Sequence, residues 1–334
     1  MRDLDPAPRP DSGAAVARMT DVPDKDTNPT ATTRLRIATY NIHKGVSALS
    51  RRNRIHDLRT GLHALEADVV FLQEVQGRND QHALRFHNWP EVAQHTFLAG
   101  DRWAEAVYGC NSVRTDGDHG NAVLSRFALV AHENIDISDH RFESRGLLHC
   151  EFDVGGRRVH CICAHLGLFE DSRIRQGDAL IARIRSHVPP DAPLIIAGDF
   201  NDWRHRLGRR LIASLSVNEV FEFGAEPRRR ALARRASNLM RNYGGRLGDG
   251  LGSRIGRRFP SPAMMALLAR ARAPRAVRAL PPARTFPSGF PLLRLDRVYV
   301  RGFTVASATV LSGERWRRLS DHAPIVADLI LAEP

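Results

Sequence analysis

The sequence predicts an α/β protein built on a largely antiparallel or mixed β-sheet. Short apolar runs with strand-like alternation recur from residue 35 to residue 331, whereas only two or three segments have helical spacing. A polar cluster also closes or opens nearly every apolar run. The chain has 334 residues, of which 43% are hydrophobic, which is enough for one large domain or two small ones with a sizeable core.

The predicted elements follow one another in two sets. The first set is a strand at 35–41 (LRIATYN), a helix at 54–67 and a valine-rich strand at 68–75 (DVVFLQEV). The second set comprises apolar strand segments at 120–135, 146–168 and 193–201, with a hairpin turn at Gly155-Gly156 and a helix from about Asp171 to His187. Further strands are predicted within 293–300, 304–311 and 323–331, and the pattern as a whole is typical of an α/β protein.

Polar side chains gather where the predicted strands end or begin. Because apolar strands are rigid supports, side chains at their ends can be held in one shared pocket. A single cluster of this kind carries no information, but six of them suggest a common site. The residues are Asn41, Glu74, His165, Asp199, Asn201, Asp296, Asp321 and His322.

The chemistry of these residues favours hydrolysis of phosphate esters. Carboxylate and amide oxygens without thiolates suit a hard cation such as Mg²⁺ or Mn²⁺. Four acids facing one another would repel unless a cation or protons compensated them, and two histidines can move protons near neutral pH. A hard metal, a water nucleophile and proton carriers together are what such a reaction needs.

Each motif taken alone has a simpler interpretation. GDFN (198–201) could be an ordinary turn, Glu74 a solvated strand end and His165 a hydrogen-bonded core histidine. Ser320, Asp321 and His322 could form a loop or capping cluster, or at first sight a nucleophile site on Ser320. What decides between these interpretations is the joint occurrence of all the motifs in a fixed order.

That order resembles the endonuclease/exonuclease/phosphatase superfamily, which includes deoxyribonuclease I, abasic-site endonucleases, sphingomyelinases and inositol polyphosphate 5-phosphatases. The motifs are TYNIHKG, LQEV, GNAVLSR, CAHLGL, GDFND, LDRVYV and SDHAPIVADL. Within the superfamily the chain looks closest to the bacterial YbhP-like branch, on HGNAVLSR, GDFNDW, RTFP and PLLRLDR. The resemblance implies a four-layer α/β/β/α sandwich of two packed mixed sheets, and a metal-dependent phosphoric ester hydrolase that uses metal-activated water.

The resemblance also implies roles for the strand-end residues. Asn41 and Glu74 are expected to be ligands of Mg²⁺ or Mn²⁺, and Asp321 to complete or support the metal site. Asp199 and Asn201 are expected to orient the attacking water and the scissile phosphate.

The remaining implied roles concern two histidines. Asp296 is expected to pair with His322, which would contact the phosphate or act as the base. Whether Asp199 or the Asp296–His322 pair takes the proton stays open. His165 matches the position that is histidine in the deoxyribonuclease I type and tyrosine in abasic-site endonucleases, which weighs against an abasic-site activity. Ser320 is not expected to be a nucleophile.

Two further residues are predicted as substrate-binding. Arg145, just before a strand, could bind a phosphate, and the alternative is a plain surface arginine. Asn121 could hydrogen-bond into the site, and the alternative is a role in a turn. An alternative interpretation is a catalytically inactive binding module on the same fold. Every expected site position is occupied, which argues for an active enzyme.

The charge of the chain is concentrated in one segment. Residues 226–284 contain 15 arginines, no lysine and two acids, a formal charge of +13, whereas the whole chain carries +12. We therefore expect an Arg-rich insertion at about 224–284 in a single domain spanning 34–334. The insertion could bind nucleic acid, lie on an anionic membrane surface, hold a protein partner or be a disordered loop.

Composition also indicates the cellular compartment of the protein. Residues 1–33 are rich in Pro, Asp and Thr and lack the apolar core of a secretory signal, so a disordered leader is predicted. The four cysteines have no zinc-ligand spacing, and a reducing compartment is expected. The resulting prediction is a monomer in the cytoplasm, with a place at the membrane surface as an alternative. The predicted substrate is a phosphodiester of nucleic acid or of a phospholipid head group.

Overall fold

The computed structural model describes residues 33–47, 52–141, 143–223 and 283–333. The predicted leader and the Arg-rich insertion lie outside the described residues, apart from Thr33, Ala283 and Arg284. Among the described residues, no helix combines the length and the apolar character that a membrane crossing needs.

Six strands form the first sheet. They are β1 (Arg34–Asn41), β2 (Val69–Asn79), β3 (Glu105–Arg114), β4 (Gly117–Ser125), β11 (Phe303–Val310) and β12 (Ile325–Leu331). Their spatial order is β11-β12-β1-β2-β4-β3. β1 and β2 are parallel, and the other neighbouring pairs are antiparallel, so the sheet is mixed.

The second sheet also has six strands. They are β5 (Leu129–Asp136), β6 (Gly146–Val154), β7 (Arg157–His165), β8 (Leu194–Asp199), β9 (Asn218–Glu219) and β10 (Asp296–Arg301). Their spatial order is β5-β6-β7-β8-β10-β9. β7 and β8 are parallel, and the remaining neighbours are antiparallel. Each sheet therefore contains one parallel pair among antiparallel strands.

Helices cover the outer faces of the two sheets, with two exceptions. The helices are α1 (Ile55–His63), α2 (Asp80–Arg85), α3 (Gln94–Ala99), α4 (Glu170–His187), α5 (Arg206–Leu215), α6 (Val220–Phe223) and α7 (Glu314–Leu319), with a 3-10 turn at His43–Gly45. The exceptions are α2, which buries no residue, and α6, which packs on the core between the sheets. Leu58 of α1 and Trp316 of α7 pack with residues of the first sheet, and Leu180 of α4 and Leu211 of α5 with residues of the second.

The central core lies between the two sheets. Side chains of β2 and β4, such as Phe71 and Val123, form one buried cluster with Phe152 and Cys161 of β6 and β7. Burying a side chain the size of Phe or Leu contributes about 1.5–3 kcal/mol, so this cluster is a substantial source of stability. The predicted four-layer α/β/β/α sandwich of two mixed sheets is confirmed.

The structure has more helices than the two or three predicted, and the longer strands differ from the sequence-based expectation in two places. Segment 120–135 contains two strands of different sheets, β4 and β5, because the chain turns at Ser125, whose hydroxyl accepts a hydrogen bond from the Phe127 N–H at 2.9 Å. Strand β3 was not predicted, because residues 105–114 are only partly buried at a sheet edge and carry little apolar periodicity.

Candidate active site

Strand direction brings the polar strand ends to one edge of the molecule. The parallel pairs β1–β2 and β7–β8 each present their carboxyl ends together. β10 and β12 are antiparallel to β8 and β1, so their starting residues lie at the same edges. In the second sheet His165, Asp199 and Asp296 consequently stand side by side on three neighbouring strands.

Glu74 is directed into this edge by an irregularity of β2. The pairing of β2 with β4 shifts between Leu72 and Val75, and Glu74 has a φ of 57°. A left-handed backbone costs a non-glycine residue about 1–3 kcal/mol and persists where the surroundings fix it. The preceding side chain, buried Gln73, helps to fix it, since its amide donates to Thr39 Oγ1 at 3.2 Å.

Close packing of β8 on β7 positions Asp199. A Cβ on Gly198, whose φ is 147°, would lie 1.9 Å from the carbonyl oxygen of Ala164. Glycine is therefore required for the register that sets Asp199 opposite His165. Asn201 follows with a φ of 50°, and its side-chain amide is anchored to the chain beyond β7.

One oxygen of Asp199 is the meeting point of the site. Its Oδ2 lies 3.2 Å from Asn41 Nδ2, 3.6 Å from His165 Nε2 and 3.7 Å from His322 Nε2. Its Oδ1 accepts the Asn201 N–H at 3.0 Å. The two histidine distances are too long for good hydrogen bonds, so the imidazoles can share a ligand atom or a water with this carboxylate.

His322 is held by a buried carboxylate. Its Nδ1 lies 2.9 Å from Asp296 Oδ2, and neither residue is more than 6% exposed. Because a carboxylate accepts, Nδ1 carries a proton and Nε2 faces Asp199. Burial alone would lower the pKa of His322, but the carboxylates of Asp296 and Asp199 outweigh it and raise that pKa to about 10.

His165 is the electrostatic opposite of His322. Burial lowers the pKa of His165 to about 3, and the nearby Asp199 offsets this effect only in part. Two imidazoles on either side of one carboxylate therefore differ in charge: His165 is neutral and His322 is a cation. Pairs of titratable groups whose pKa values are shifted in opposite directions are typical of sites that catalyse by acid–base chemistry.

Asp321 and Ser320 join the first sheet to this centre. The Ser320 hydroxyl donates to the main-chain carbonyl of Asn41 at 2.7 Å, which ties the approach to β12 to the end of β1. His43 lies between two carboxylates, with Nδ1 at 3.5 Å from Asp321 Oδ1 and 3.9 Å from Glu74 Oε2. Ser320 is thus a structural bridge rather than an exposed nucleophile.

The donor set fits a hard divalent cation. The carboxylates of Glu74 and Asp321 converge on the same histidine, and Asn41 Nδ2 contacts Glu74 Oε1 at 3.3 Å. On the second-sheet side, oxygens of Asp199 and Asp296 and a nitrogen of His322 lie within 4.8 Å of one another. Asp296 Oδ1 is buried without a hydrogen-bond partner in the described part of the chain. Acidic oxygens that lack donors are ligands of the kind Mg²⁺ and Mn²⁺ prefer.

A cavity of about 270 Å³ opens onto these groups. Its lining consists of Glu74, Arg145, His165, Leu168, Asp199, Asn201, Trp203, Phe286, Leu293, Leu295 and His322. Arg145 lies on the wall, and its Nε is buried with no hydrogen-bond partner among the residues that the structure describes. Its guanidinium can therefore serve an anion in the cavity.

Asn121 is placed away from the cavity. It lies inside β4, so the alternative of a turn role is wrong. Its side-chain amide donates to the carbonyl of Gly146 at 2.9 Å, and the carbonyl of Cys163 is at 3.5 Å. These contacts connect β4 to β6 and β7, next to Arg145 and two residues before His165.

Several residues at the site were not singled out from the sequence. His43 is one, although it lies two positions after Asn41. Phe286 is another, with its ring 5.0 Å from the His322 imidazole. Arg297 is fully buried and donates to the carbonyls of Asp296 at 3.0 Å and Asp202 at 2.9 Å. The signal for Arg297 was its place directly after Asp296 in an apolar strand.

Comparison with known proteins identifies the family. The sequence model of the endonuclease/exonuclease/phosphatase family matches residues 38–322. The chain belongs to this family. It is 36% identical over 298 residues to the uncharacterized protein YbhP of Escherichia coli K12, a match that covers 89% of this chain and 96% of that protein.

Solved structures of the family share the fold. An endonuclease/exonuclease/phosphatase from Beutenbergia cavernae superposes with a TM-score of 0.57 at 21% identity, covering 90% of this chain and 72% of that one. The human Nocturnin catalytic domain superposes with a TM-score of 0.57 at 16% identity, covering 90% and 95%. A humanized D. rerio TDP2 superposes with a TM-score of 0.53 at 19% identity, covering 89% and 98%. Members of the family include nucleases, phosphodiesterases and phosphatases.

Proposed function

We propose that this protein is a Mg²⁺- or Mn²⁺-dependent hydrolase of phosphodiesters. The observation that carries the proposal is the convergence on Asp199 Oδ2, where an amide, a neutral imidazole and a charged imidazole meet beside the carboxylates of Glu74 and Asp321. Such a set can hold a cation, orient water and stabilise a phosphorane-like transition state at the same place.

In this proposal Asn41, Glu74 and Asp321 hold the cation. When bound, the ion supplies positive charge next to the phosphate and lowers the pKa of water. Asp199 and Asn201 orient the attacking water. The identity of the group that takes its proton, Asp199 or the Asp296–His322 pair, is part of the test below.

Three side chains of the cavity serve the anion. His322, with Nδ1 fixed on Asp296, directs Nε2 toward the charge that develops on the phosphate oxygens. His165 is neutral and can donate one hydrogen bond without drawing the phosphate away from the cation. Arg145 has an unpartnered Nε at the wall and is proposed as a substrate-binding residue. Asn121 is proposed to act indirectly, by holding β6 beside Arg145.

A diester suits the surroundings better than a monoester. The cavity continues on one side, past Arg145 and Leu168, into a depression that also contains Arg114. On the other side, beyond Phe286, lies a depression of about 530 Å³ with Arg54, Arg317 and Arg318 in its wall. A phosphate in the middle can therefore carry a substituent on each side, and arginines are present to meet further phosphates.

Hydrolysis of bis-p-nitrophenyl phosphate and p-nitrophenyl phosphate by the full chain tests the proposal. We expect hydrolysis of the diester to require Mg²⁺ or Mn²⁺, to stop with EDTA, and to exceed hydrolysis of the monoester. His322→Ala should lower turnover by about 10²–10⁴-fold. The exposed residue His132 provides the matched control, and His132→Ala should retain full activity. Metal-dependent activity that survives His322→Ala would contradict the assignment, and no activity on any ester would favour a binding module.

The proton acceptor can be distinguished with a better leaving group. In an ester whose leaving group needs no protonation, a residue that only protonates the leaving group loses importance, whereas the residue that activates water does not. The two substrates to compare are an ester of this kind and an ester with a poor leaving group. If Asp199 takes the proton, Asp199→Asn should impair both esters equally. If His322 takes it, after losing the proton from its own Nε2, His322→Ala should impair both esters equally instead.

Phospholipid head groups form a second candidate substrate class. Three apolar side chains that line the cavity are exposed, namely Leu168, Trp203 and Leu293 at 38–59% exposure. Exposed apolar rims can dip into a lipid interface. A panel of single- and double-stranded DNA, RNA and phospholipid vesicles would separate the classes. Single-stranded DNA belongs in it because a D. rerio TDP2 structure is complexed with a single strand DNA product.

The Arg-rich segment 226–284 is proposed to bring the substrate to the site. Its charge of +13 suits polyanions such as nucleic acid or anionic lipid. Deletion of the segment should leave hydrolysis of bis-p-nitrophenyl phosphate unchanged while weakening binding to one polyanion. Salt-dependent DNA binding and flotation with anionic vesicles would identify which one.

A further inference from the structure

A second group of possible metal ligands lies on the outer face of the second sheet. His149 and Glu151 are two positions apart on β6, so their side chains share a face, and His160 stands opposite Glu151 on β7. Cys150, between His149 and Glu151, and Cys161, next to His160, point the other way, into the core between the sheets. The trio therefore faces the opposite way, toward helix α4. We call it the outer-face cluster.

The atoms of the outer-face cluster are spaced like ligands of one ion. His149 Nε2 is 3.1 Å from His160 Nδ1, and His160 Nδ1 is 3.8 Å from Glu151 Oε1. All three ligand atoms lie within 4.8 Å of one another. Ligands about 2.0 Å from a tetrahedral zinc ion are roughly 3.3 Å apart, so only small side-chain movements are needed to admit an ion.

We propose that His149, Glu151 and His160 form a binding site for a borderline divalent cation of the Zn²⁺, Co²⁺ or Ni²⁺ class. Two imidazoles and one carboxylate match the preference of these ions, whereas Mg²⁺ prefers oxygen ligands alone. The proposal is independent of the catalytic assignment, because the cluster shares no residue with the cavity at the strand ends.

The cluster is enclosed on the side of the histidines and open to solvent on the side of the carboxylate. Arg183 Nε donates to His149 Nδ1, so His149 Nε2 carries the ring proton and donates it to His160 Nδ1, which has a free lone pair for an ion. Each histidine is only 2% exposed, but the side chain of Glu151 is 19% exposed and opens the cluster to solvent. A water can complete the coordination from that side.

Two arginines border the cluster, and both are paired with acids. Arg183 of α4 lies 2.7 Å from Glu133 Oε2 and also donates to His149 Nδ1 at 3.3 Å. Arg158 lies 3.3 Å from Glu151 Oε2. Glu133 offsets the charge of Arg183, whereas Arg158 would share the Glu151 carboxylate with the bound cation.

The hydrogen bond from Arg183 determines how the tautomer of His149 must change when a metal ion binds. Since Arg183 donates to His149 Nδ1, the ring proton of His149 is on Nε2 and points to His160. A metal on Nε2 requires that proton to move to Nδ1, where the Arg183 N–H can no longer donate. Arg183 then stays with Glu133 alone. Arg183 is thus a competitor of the metal, and a residue that accepts at this position should strengthen binding.

Metal analysis of the full chain tests the site. Protein stripped with a chelator is dialysed against Zn²⁺ in the presence of excess Mg²⁺, which occupies oxygen-rich sites, and bound metal is measured by mass spectrometry. We expect one zinc per chain. His160→Gln and Glu151→Gln should each lower zinc affinity at least tenfold, and Arg183→Gln should raise it. Loading with Co²⁺ should give the visible absorption of a four- or five-coordinate site. Both His160→Gln and Glu151→Gln should abolish this absorption.

Controls separate this site from the catalytic one and from misfolding. The exposed neighbour His187 is the matched control, and His187→Gln should bind zinc normally. Glu74→Gln should also keep the zinc. Glu151→Gln changes a partly exposed side chain by one atom, so it should keep the thermal midpoint of the metal-free protein. The proposal is overturned if the wild type binds no zinc under excess Mg²⁺, if Glu151→Gln and His160→Gln retain it, or if Glu74→Gln alone removes it.

Discussion

The second sheet carries two clusters of histidines and carboxylates that differ in position and in chemistry. One lies at the strand ends, around Asp199, where both sheets contribute and oxygen ligands predominate. The other is the outer-face cluster, in the middle of β6 and β7, where two imidazoles face one carboxylate. Strand ends let several strands approach one point. A sheet face offers only cross-strand neighbours at fixed spacing.

This difference explains why the two clusters suit different tasks. At the strand ends, backbone irregularity at Glu74 and Asn201 aims side chains that a regular ladder could not bring together. At the outer face the ladder is regular, and the geometry is rigid and simple. We therefore expect the first cluster to carry turnover and the second to carry stability or metal content.

The largest effect is expected from Asp199→Asn. Because Asp199 Oδ2 is the point on which Asn41, His165 and His322 converge, loss of its charge should lower diester turnover by about 10³-fold or more. The zinc content of the outer-face cluster should not change. The exposed residue Asp191 supplies the matched substitution, Asp191→Asn, which should leave both properties intact. Steady-state kinetics together with metal analysis check the prediction, and a loss of zinc in Asp199→Asn would show that the clusters are coupled.

A smaller loss, about 10²–10³-fold, is expected from Asp296→Asn. The carboxylate holds a proton on His322 Nδ1, and an asparagine can instead present its amide N–H to that nitrogen and turn the ring to the wrong tautomer. The effect should fall on kcat more than on KM, because His322 remains in place to bind. A variant with unchanged kcat would mean that Asp296 serves folding alone.

The contrast between the clusters also shows what could be predicted from sequence. The fold and the polar strand ends were predictable because apolar alternation and the order of the motifs are local properties of the chain. The bulge at Glu74 was not, because it depends on how β2 pairs with β4. Arg297 was missed because an arginine in a strand is expected at the surface, yet here it is fully buried.

The outer-face cluster escaped prediction for a related reason. In HCEFD and RRVHC the histidines alternate with core cysteines, a pattern that indicates only a polar outer face. Their convergence requires the register that sets His160 opposite Glu151, which no local signal specifies. The roles of the strand-end residues likewise remain predictions, although Asp296 and His322 lie in hydrogen-bond contact.

The buried acid Glu219 belongs to neither cluster and shows how strongly burial can shift the pKa of a carboxyl group. Burial raises the pKa of Glu219 from 4.5 to about 7, although the nearby Arg297 opposes the shift. The folded chain therefore binds more protons than the unfolded chain between about pH 4.5 and 7. Stability contributed by this group is fully present below pH 4.5 and is lost as the pH rises to 7, by on the order of 3 kcal/mol.

Urea unfolding of Glu219→Gln across this pH range measures that contribution. Relative to the variant, the wild type should lose stability on the order of 3 kcal/mol from pH 4.5 to pH 7. Glu314→Gln, at an exposed residue of α7, should leave the pH dependence unchanged. A parallel pH dependence of wild type and Glu219→Gln would mean that Arg297 keeps the carboxyl ionised.

The smallest expected effect on turnover, that of Glu151→Gln, tests whether the two clusters are independent of each other. Glu151→Gln should remove zinc from the outer-face cluster and change diester turnover by less than about twofold, because sites without shared partners usually add within about 0.3–0.5 kcal/mol. Strand β7 nevertheless links the clusters, since His160 lies five residues before His165 on the same strand. The double variant Glu151→Gln with Asp296→Asn tests that link. If the turnover losses multiply, β7 acts as a rigid support for two separate sites. If Glu151→Gln deepens or relieves the loss caused by Asp296→Asn, the position of His165 depends on the metal state of the outer face.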